Sequence, residues 1–328
     1  MATPDPGNME HAACALCGST EATACLYACC PERPEEQFTV VQCTCCGLRF
    51  VSPRPVSETM TGYYPEEYYA YQPHEIRPRS HRLKLTLWRR LGLLPAPDLP
   101  GDAPILARTV RRVARLALGV RCAWTLPAPH TGARFLDVGC GAGARLMLAA
   151  DLGWQTFGID RSEAAIAATR AQGHGTVVAD AARLPFAGAA MDYVCLSHVL
   201  EHTRDPLATL REAGRVVRPG GLIHVAVPNI TSWSAIRFGQ HWAANELPRH
   251  LQHFSAPTLA AVARAAGLEV LAVRTLADRW VLETTLERAG IRGLRARFLR
   301  LTWRAHCRLG RGDNLDAWFT PAGADSAP

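Results

Sequence analysis

The chain has 328 residues, enough for one large domain and a smaller module, and it contains no uninterrupted apolar run of the ~18 residues needed for a membrane-spanning helix. Its first residues, 1–11, are polar and lack the apolar stretch of a secretory leader, so a cytoplasmic location is expected. The formal charge of +7 rests almost wholly on arginine, with Lys84 the sole lysine and no compact basic run, so charge by itself does not demand a nucleic-acid or anionic-surface partner.

Two knuckles of one design come first, Cys14-Ala-Leu-Cys17-Gly18 and Cys43-Thr-Cys-Cys46-Gly47. In each, the two-residue gap brings both sulfurs to one metal, and the glycine after the second cysteine relieves the tight turn. Four thiolates at such spacing suit tetrahedral zinc, which makes Cys14, Cys17, Cys43 and Cys46 the expected ligands of a structural Zn2+. Disulfides are the alternative, but they require an oxidising compartment. Cys45 stands where it could replace either neighbour, and Cys25, Cys29 and Cys30 fall in the loop between the knuckles. Cys122, Cys140, Cys195 and Cys307 read as small buried apolar residues rather than nucleophiles.

Tyr63, Tyr64, Tyr68, Tyr69 and Tyr71 follow closely, and such a cluster suits a surface that is part apolar and part wet, either a pocket lip or packing of the ribbon on the core. From Arg79 to His130, apolar residues at spacings near three and four (Leu83, Leu87, Trp88, Leu91, then Val110, Val113, Leu116) predict two amphipathic helices around a Pro/Gly break. They fit a helical cap, with an anionic membrane surface as the alternative for their basic faces.

Phe135-Leu-Asp137-Val-Gly139-Cys-Gly141-Ala-Gly143, followed by Gly158-Ile-Asp160, reads as a strand, a glycine turn, a helix and a second strand ending in a carboxylate. Glycine suits a chain that leaves a buried strand, turns sharply and lets a ligand approach its backbone. Asp160 lies about 20 residues beyond the glycines, where a carboxylate can accept both ribose hydroxyls. The glycines alternate after an acid, Asp137, instead of closing with a third glycine two residues on, which disfavours a nicotinamide dinucleotide.

These residues resemble the first two motifs of class I S-adenosylmethionine-dependent methyltransferases. The resemblance continues in order through Asp180-Ala181 to Phe186, Met191 to Ser197-His198-Val-Leu-Glu201-His202, Asp205-Pro206, Pro219-Gly220-Gly221 and Pro228-Asn229. It implies an α/β, Rossmann-like seven-stranded sheet with S-adenosyl-L-methionine as cofactor. Asp137, Gly139, Gly141 and Gly143 would admit its methionine portion, Asp160 its ribose, Asp180 and Ala181 its adenine, with Ser197 and His198 shaping the pocket. The cysteine ribbon and tyrosine stretch ahead of this domain resemble a bacterial group that includes sugar C-methyltransferases.

A hydroxyl, or a carbon beside a carbonyl, must lose a proton before methylation, and histidine titrates in the right range. One candidate place is His198 with Glu201 and His202. The other, Leu247-Pro248-Arg249-His250-Leu-Gln-His253-Phe254, resembles a His-x-x-His-Phe pattern of the family and makes His253 or His250 the candidate base. Their three-residue spacing allows a shared helical face, which would suit a metal were a third ligand nearby. The expected organisation is a zinc-ribbon-like module and Tyr-rich segment over 1–75, a helical connector over 76–130, and the methyltransferase domain over 131–328 with an insertion at about 229–256. The expected acceptor is a sugar or another small biosynthetic intermediate, free or lipid-linked. RNA methylation and a non-catalytic binding or scaffold protein are the alternatives.

Overall fold

The computed structural model describes residues 6–64, 126–127 and 129–323. Tyr68, Tyr69, Tyr71, Cys122 and nearly all of the connector expected over 76–130 lie outside the described residues.

The N-terminal residues build two small sheets. β1 (Met9–Glu10) pairs with β5 (Arg54–Pro55), while β2 (Ala22–Cys29), β3 (Gln37–Cys43) and β4 (Arg49–Val51) form an antiparallel meander. The free edge of β4 takes up β11 (Gln252–His253) from two hundred residues on, Gln252 opposite Phe50 and His253 opposite Arg49. An open edge presents unpaired backbone donors and acceptors, and this added strand covers them. The ribbon is therefore sewn into the large domain through the segment after Pro228. The same pairing decides the shape of the two-histidine stretch: no helix forms there. His250 follows the turn at 247–249 and His253 lies in a strand, so the helical face their spacing allowed is not built.

The large domain is a seven-stranded sheet in the order β12–β13–β10–β9–β6–β7–β8, formed by β6 (Arg134–Val138), β7 (Gln155–Asp160), β8 (Gly175–Val178), β9 (Met191–Ser197), β10 (Val217–Pro228), β12 (Leu268–Leu276) and β13 (Asn314–Pro321). Neighbouring strands from β6 to β10 are parallel, and β13 runs antiparallel between β10 and β12. The expected Rossmann-like seven-stranded architecture is thus present, and a helical pair, α7 (Arg279–Arg288) and α8 (Gly293–Arg308), lies between β12 and β13 in the chain.

Alternation in the strands sends residues into two cores. Val194 and Leu196 join Val225, Val227, Ala317 and Phe319 on one face, together with Leu210 and Ala213 of α4 (Pro206–Val216) and Leu259 and Val262 of α6 (Ala256–Ala265). Tyr193 and Cys195 join Phe135, Trp154 and Leu146 of α2 (Ala144–Asp151) on the other. Helix starts are set by side-chain caps: Ser162 before α3 (Glu163–Ala171), Asp205 before α4 and Ser255 before α6, the last as a full capping box with Thr258. Because β6 to β10 all run the same way, their carboxyl ends lie along one edge, where ligands of open sheets bind.

Candidate active site

At that edge the chain turns from β6 into α2 through Gly139, Gly141 and Gly143, each with positive φ. Gly139 shows why no side chain is tolerated: at φ +69° a Cβ would lie 2.5 Å from Val199 Cγ2. The turn is tied to the next strand, since Gly141 N–H donates to Asp160 Oδ2 at 2.9 Å while Ser162 N–H donates to Oδ1 at 2.9 Å. Asp180 is exposed at the end of β8 and accepts from Ala182 N–H at 2.8 Å, with half-buried Ala181 beside it. Ser197 ends β9 and accepts a hydrogen bond from Arg145 of α2.

Asp137 is fully buried and neither of its oxygens accepts a conventional hydrogen bond, the weak donor Cys195 being its neighbour. Burial pushes its pKa up to about 7, with Arg145 opposing and Asp160 adding to the rise. A buried carboxylate short of donors is an acceptor for a cationic group, which is what the amino group of S-adenosylmethionine offers. The glycine turn leaves backbone approachable, and each Asp160 oxygen retains a lone pair beyond the one it uses. The residues present fit that cofactor.

His198 follows Ser197 at φ +56°, a left-handed conformation that is costly for a residue with a side chain and is often found at functional sites. Its Nδ1 lies 3.0 Å from Oε1 of buried Glu201, and its ring is 36% exposed. It also lines a cavity of about 380 Å³ with Arg145, Ser197, Ala226, Asp278 and Asn314 at the sheet edge and the buried pair His224–Asp316 (2.5 Å) deeper on the sheet.

The other histidines are placed differently. His253 is 4% exposed and its pKa falls to about 3 through burial, with His250 and Arg49 adding to the fall. His250 is as buried, also near pKa 3 through burial, and its Nδ1 is held 2.8 Å from the Ala244 carbonyl. Neither takes up a proton near neutral pH in this arrangement, which weighs against the expectation of a base at His253 or His250. His250 instead meets His202 and Glu201: one ligand atom from each of the three lies within 4.8 Å of the others.

A second centre lies in the ribbon. Cys14, Cys17, Cys43 and Cys46 converge with all four sulfurs within 4.8 Å, Cys14 to Cys46 at 3.3 Å and Cys17 to Cys43 at 3.5 Å. These separations far exceed an S–S bond of about 2.05 Å, and every cysteine among the described residues is free. The knuckles are geometric copies: Gly18 N–H donates to the Cys14 carbonyl and Gly47 N–H to that of Cys43, with φ +74° and +76° at the glycines. The four thiols are not equivalent without a cation: burial pushes the Cys43 thiol up but the Cys46 and Cys45 amides and the Cys17 side chain outweigh it and lower its pKa, whereas burial pushes Cys14 and Cys46 up. Cys45 turns away to the Ser19 hydroxyl, Cys25 to the Val40 carbonyl and Cys30 toward Glu32. The substitution of Cys45 for a neighbour is not built. Four sulfurs so placed fit zinc.

Sequence reasoning missed Arg145, His224, Asp278, Asn314 and Asp316, which no motif spacing marks. The only signal was their place after or opposite strand ends.

A methyltransferase-domain family model matches residues 107–273, about half of the chain. The chain is 34% identical over 145 residues to a probable S-adenosylmethionine-dependent methyltransferase of Mycolicibacterium smegmatis, covering 42% of this chain and 53% of that protein. It is 33% identical over 177 residues to a ubiquinone biosynthesis O-methyltransferase of Rhizobium rhizogenes, covering 48% of this chain and 71% of that protein. The chain thus spans about half the length of the first of these relatives and more of the second. A chain from the solved complex between the Haloferax volcanii Trm112 methyltransferase activator and the putative methyltransferase aligns at TM-score 0.45 and 21% identity, covering 64% of this chain and 88% of that one. With the glycine turn, Asp137 and Asp160 set along the edge of a seven-stranded sheet, and with the family model covering that sheet as far as β12, this chain belongs to the class I S-adenosylmethionine-dependent methyltransferases.

Proposed function

We propose that the chain methylates a small polar acceptor, a sugar or another hydroxyl-bearing biosynthetic intermediate, with His198 as the general base. The observation that carries this reading is the 380 Å³ cavity that opens on His198 and is lined by Arg145, Asp278, Asn314 and the His224–Asp316 pair. Its size suits a small ligand, and its lining is mixed: Leu126, Phe135, Leu276 and Leu315 supply apolar wall, while His198, Arg145, Asp278, Asn314 and the His224–Asp316 pair supply groups that can orient a hydroxyl. O-methylation is supported by the relatives that methylate oxygen in ubiquinone biosynthesis. A flipped nucleobase needs stacking aromatics, and among the described lining residues Phe135 is the one ring besides histidine, so RNA is the weaker reading.

S-adenosylmethionine supplies an electrophilic methyl group on a sulfonium. Asp137 holds the cofactor's amino group, Asp160 its ribose hydroxyls, and Asp180 with Ala181 its adenine edge. His198 takes the proton from the acceptor hydroxyl at Nε2, and Glu201 on Nδ1 orients the ring and stabilises the resulting imidazolium, as the aspartate of a serine-protease triad does for its histidine. Arg145, held to Ser197, fixes the acceptor side of the pocket. Alignment does most of the work in such an in-line displacement. The ribbon, with zinc on Cys14, Cys17, Cys43 and Cys46, is a structural module over 1–75, and 76–130 is the connector that leads to the catalytic domain at 131–328.

The test is transfer of labelled methyl from S-adenosylmethionine into a cell extract separated into RNA, protein, lipid and small molecules. Label in the small-molecule fraction, lost in His198→Gln, is the expected result. Label in RNA would overturn the acceptor assignment.

A further inference from the structure

We propose that Glu201, His202 and His250 form a second metal site, for a divalent cation of the zinc class, adjoining His198 and apart from the cysteine centre.

The three residues come from two segments, the turn after β9 and the turn before β11, and each offers a ligand atom within 4.8 Å of the others. Backbone carbonyls orient both rings. His250 Nδ1 lies 2.8 Å from the Ala244 carbonyl and His202 Nδ1 lies 3.1 Å from the Arg249 carbonyl. A carbonyl can only accept, so Nδ1 carries the hydrogen in His250 and its Nε2 is left with its lone pair; His202 Nδ1 is shared between the Arg249 carbonyl and the Tyr64 hydroxyl at 3.2 Å, and its ring offers one nitrogen to the cluster. Two neutral imidazoles oriented by backbone carbonyls are what a metal requires of histidine, and they are the usual outer-shell arrangement.

Glu201 is the second, independent observation. Its side chain is 1% exposed, Oε1 is engaged by His198 Nδ1 at 3.0 Å, and Oε2 has no hydrogen-bond partner at all. A carboxylate oxygen buried without a donor is unfavourable unless something positive meets it. The neighbouring cation Arg249 does not do so, because its guanidinium is taken by Glu32 at 2.7 Å, by Glu246 at 3.3 Å and by the Tyr63 carbonyl at 3.0 Å. Glu246 Oε2 lies 3.8 Å from His250 Nε2 and adds further negative charge at the rim.

Two imidazole nitrogens and one carboxylate oxygen form a donor set taken by Zn2+ in hydrolytic enzymes and by other first-row divalent cations. Ligands about 2.0–2.2 Å from a tetrahedral centre stand roughly 3.4 Å apart, so binding would draw these side chains inward by small rotations. Three protein ligands leave a position open. His202 is only partly buried, which gives an entry path. Resting on the methyltransferase reading, a cation held there would sit behind the base, across Glu201 from His198. Glu201 then bridges the two devices, Oε2 on the cation and Oε1 on His198.

The test is a titration of the metal-depleted full chain with Co2+, followed by calorimetry and visible absorption. The cysteine centre gives thiolate-to-cobalt charge-transfer bands. The expected result is one further equivalent without such bands, and an affinity for it that drops by roughly 100-fold or more in Glu201→Gln and in His250→Gln while the thiolate equivalent stays. A wild-type chain that takes up only the thiolate-bound equivalent at millimolar Co2+ would overturn the proposal, as would unchanged affinity in both variants. Because the decisive count is made on the wild type, misfolding of a variant does not remove the test. S-adenosylhomocysteine binding, measured on the same samples, reports separately on the methyltransferase reading.

Discussion

Gly141 N–H donates to Asp160 Oδ2 at 2.9 Å, so the carboxylate that is placed to take a ribose also fastens the glycine turn of the preceding strand. Asp160→Ala would lose both functions at once. S-adenosylhomocysteine affinity is expected to fall by about 1.5–3 kcal/mol, the scale of a lost charged hydrogen bond, with a lower melting temperature for the ligand-free chain. Calorimetry that found affinity unchanged would remove Asp160 from the site.

Asp137 makes cofactor binding pH-dependent. Its folded pKa of about 7 lies above the ordinary 3.8, so between those values the fold holds a proton that the unfolded chain releases, and ligand-free stability declines as pH rises through that window. The cofactor's ammonium prefers the carboxylate form. Affinity for S-adenosylhomocysteine should therefore climb as pH rises to about 7 and then level off, and Asp137→Asn should flatten the curve; a wild-type curve that is already flat would place the ammonium elsewhere.

Gly139→Ala sets a Cβ 2.5 Å from Val199 Cγ2 at a positive φ. We expect a loss of about 2–4 kcal/mol in stability, from strain and overpacking together. Val199→Ala in the same chain should recover the packing part and leave the φ part. Additive losses in this double-mutant cycle would show that the contact is not what excludes a side chain.

His198 and His253 should separate by phenotype. His198→Gln is expected to lower kcat by roughly 100-fold or more with cofactor affinity kept, the usual scale for a lost general base. His253→Gln, at a fully buried position in the strand that joins the ribbon to the domain, should lower stability and leave turnover per folded molecule nearly intact. The reverse pattern would return the base to His253.

The cysteine centre predicts one thiolate-bound zinc per chain. Cys14→Ser should lose that metal and loosen the ribbon, whereas Cys45→Ser should change neither, because Cys45 faces Ser19. Metal analysis with thermal melting reads both outcomes, and retention of full metal content in Cys14→Ser would end the assignment.

Much of this molecule was legible in one dimension. Two residues between cysteines, one between glycines and about twenty between a glycine turn and the next carboxylate are distances that covalent geometry and a strand–turn–helix unit nearly impose. The cysteine knuckles and the cofactor edge follow from them, and the seven-stranded sheet from the resemblance those motifs carry. The connector over 76–130 is the exception, since nearly all of it falls outside the described residues.

What only the tertiary structure decided are contacts between segments far apart in the chain. His250 and His253 look like a pair by spacing, yet the open edge of β4 draws His253 into a strand and leaves His250 facing His202, 48 residues earlier in the chain. The burial that lowers their pKa and the unpartnered oxygen of Glu201 arise from that packing. Spacing reports which residues a turn can bring together, whereas protonation and burial depend on what the rest of the fold packs against them.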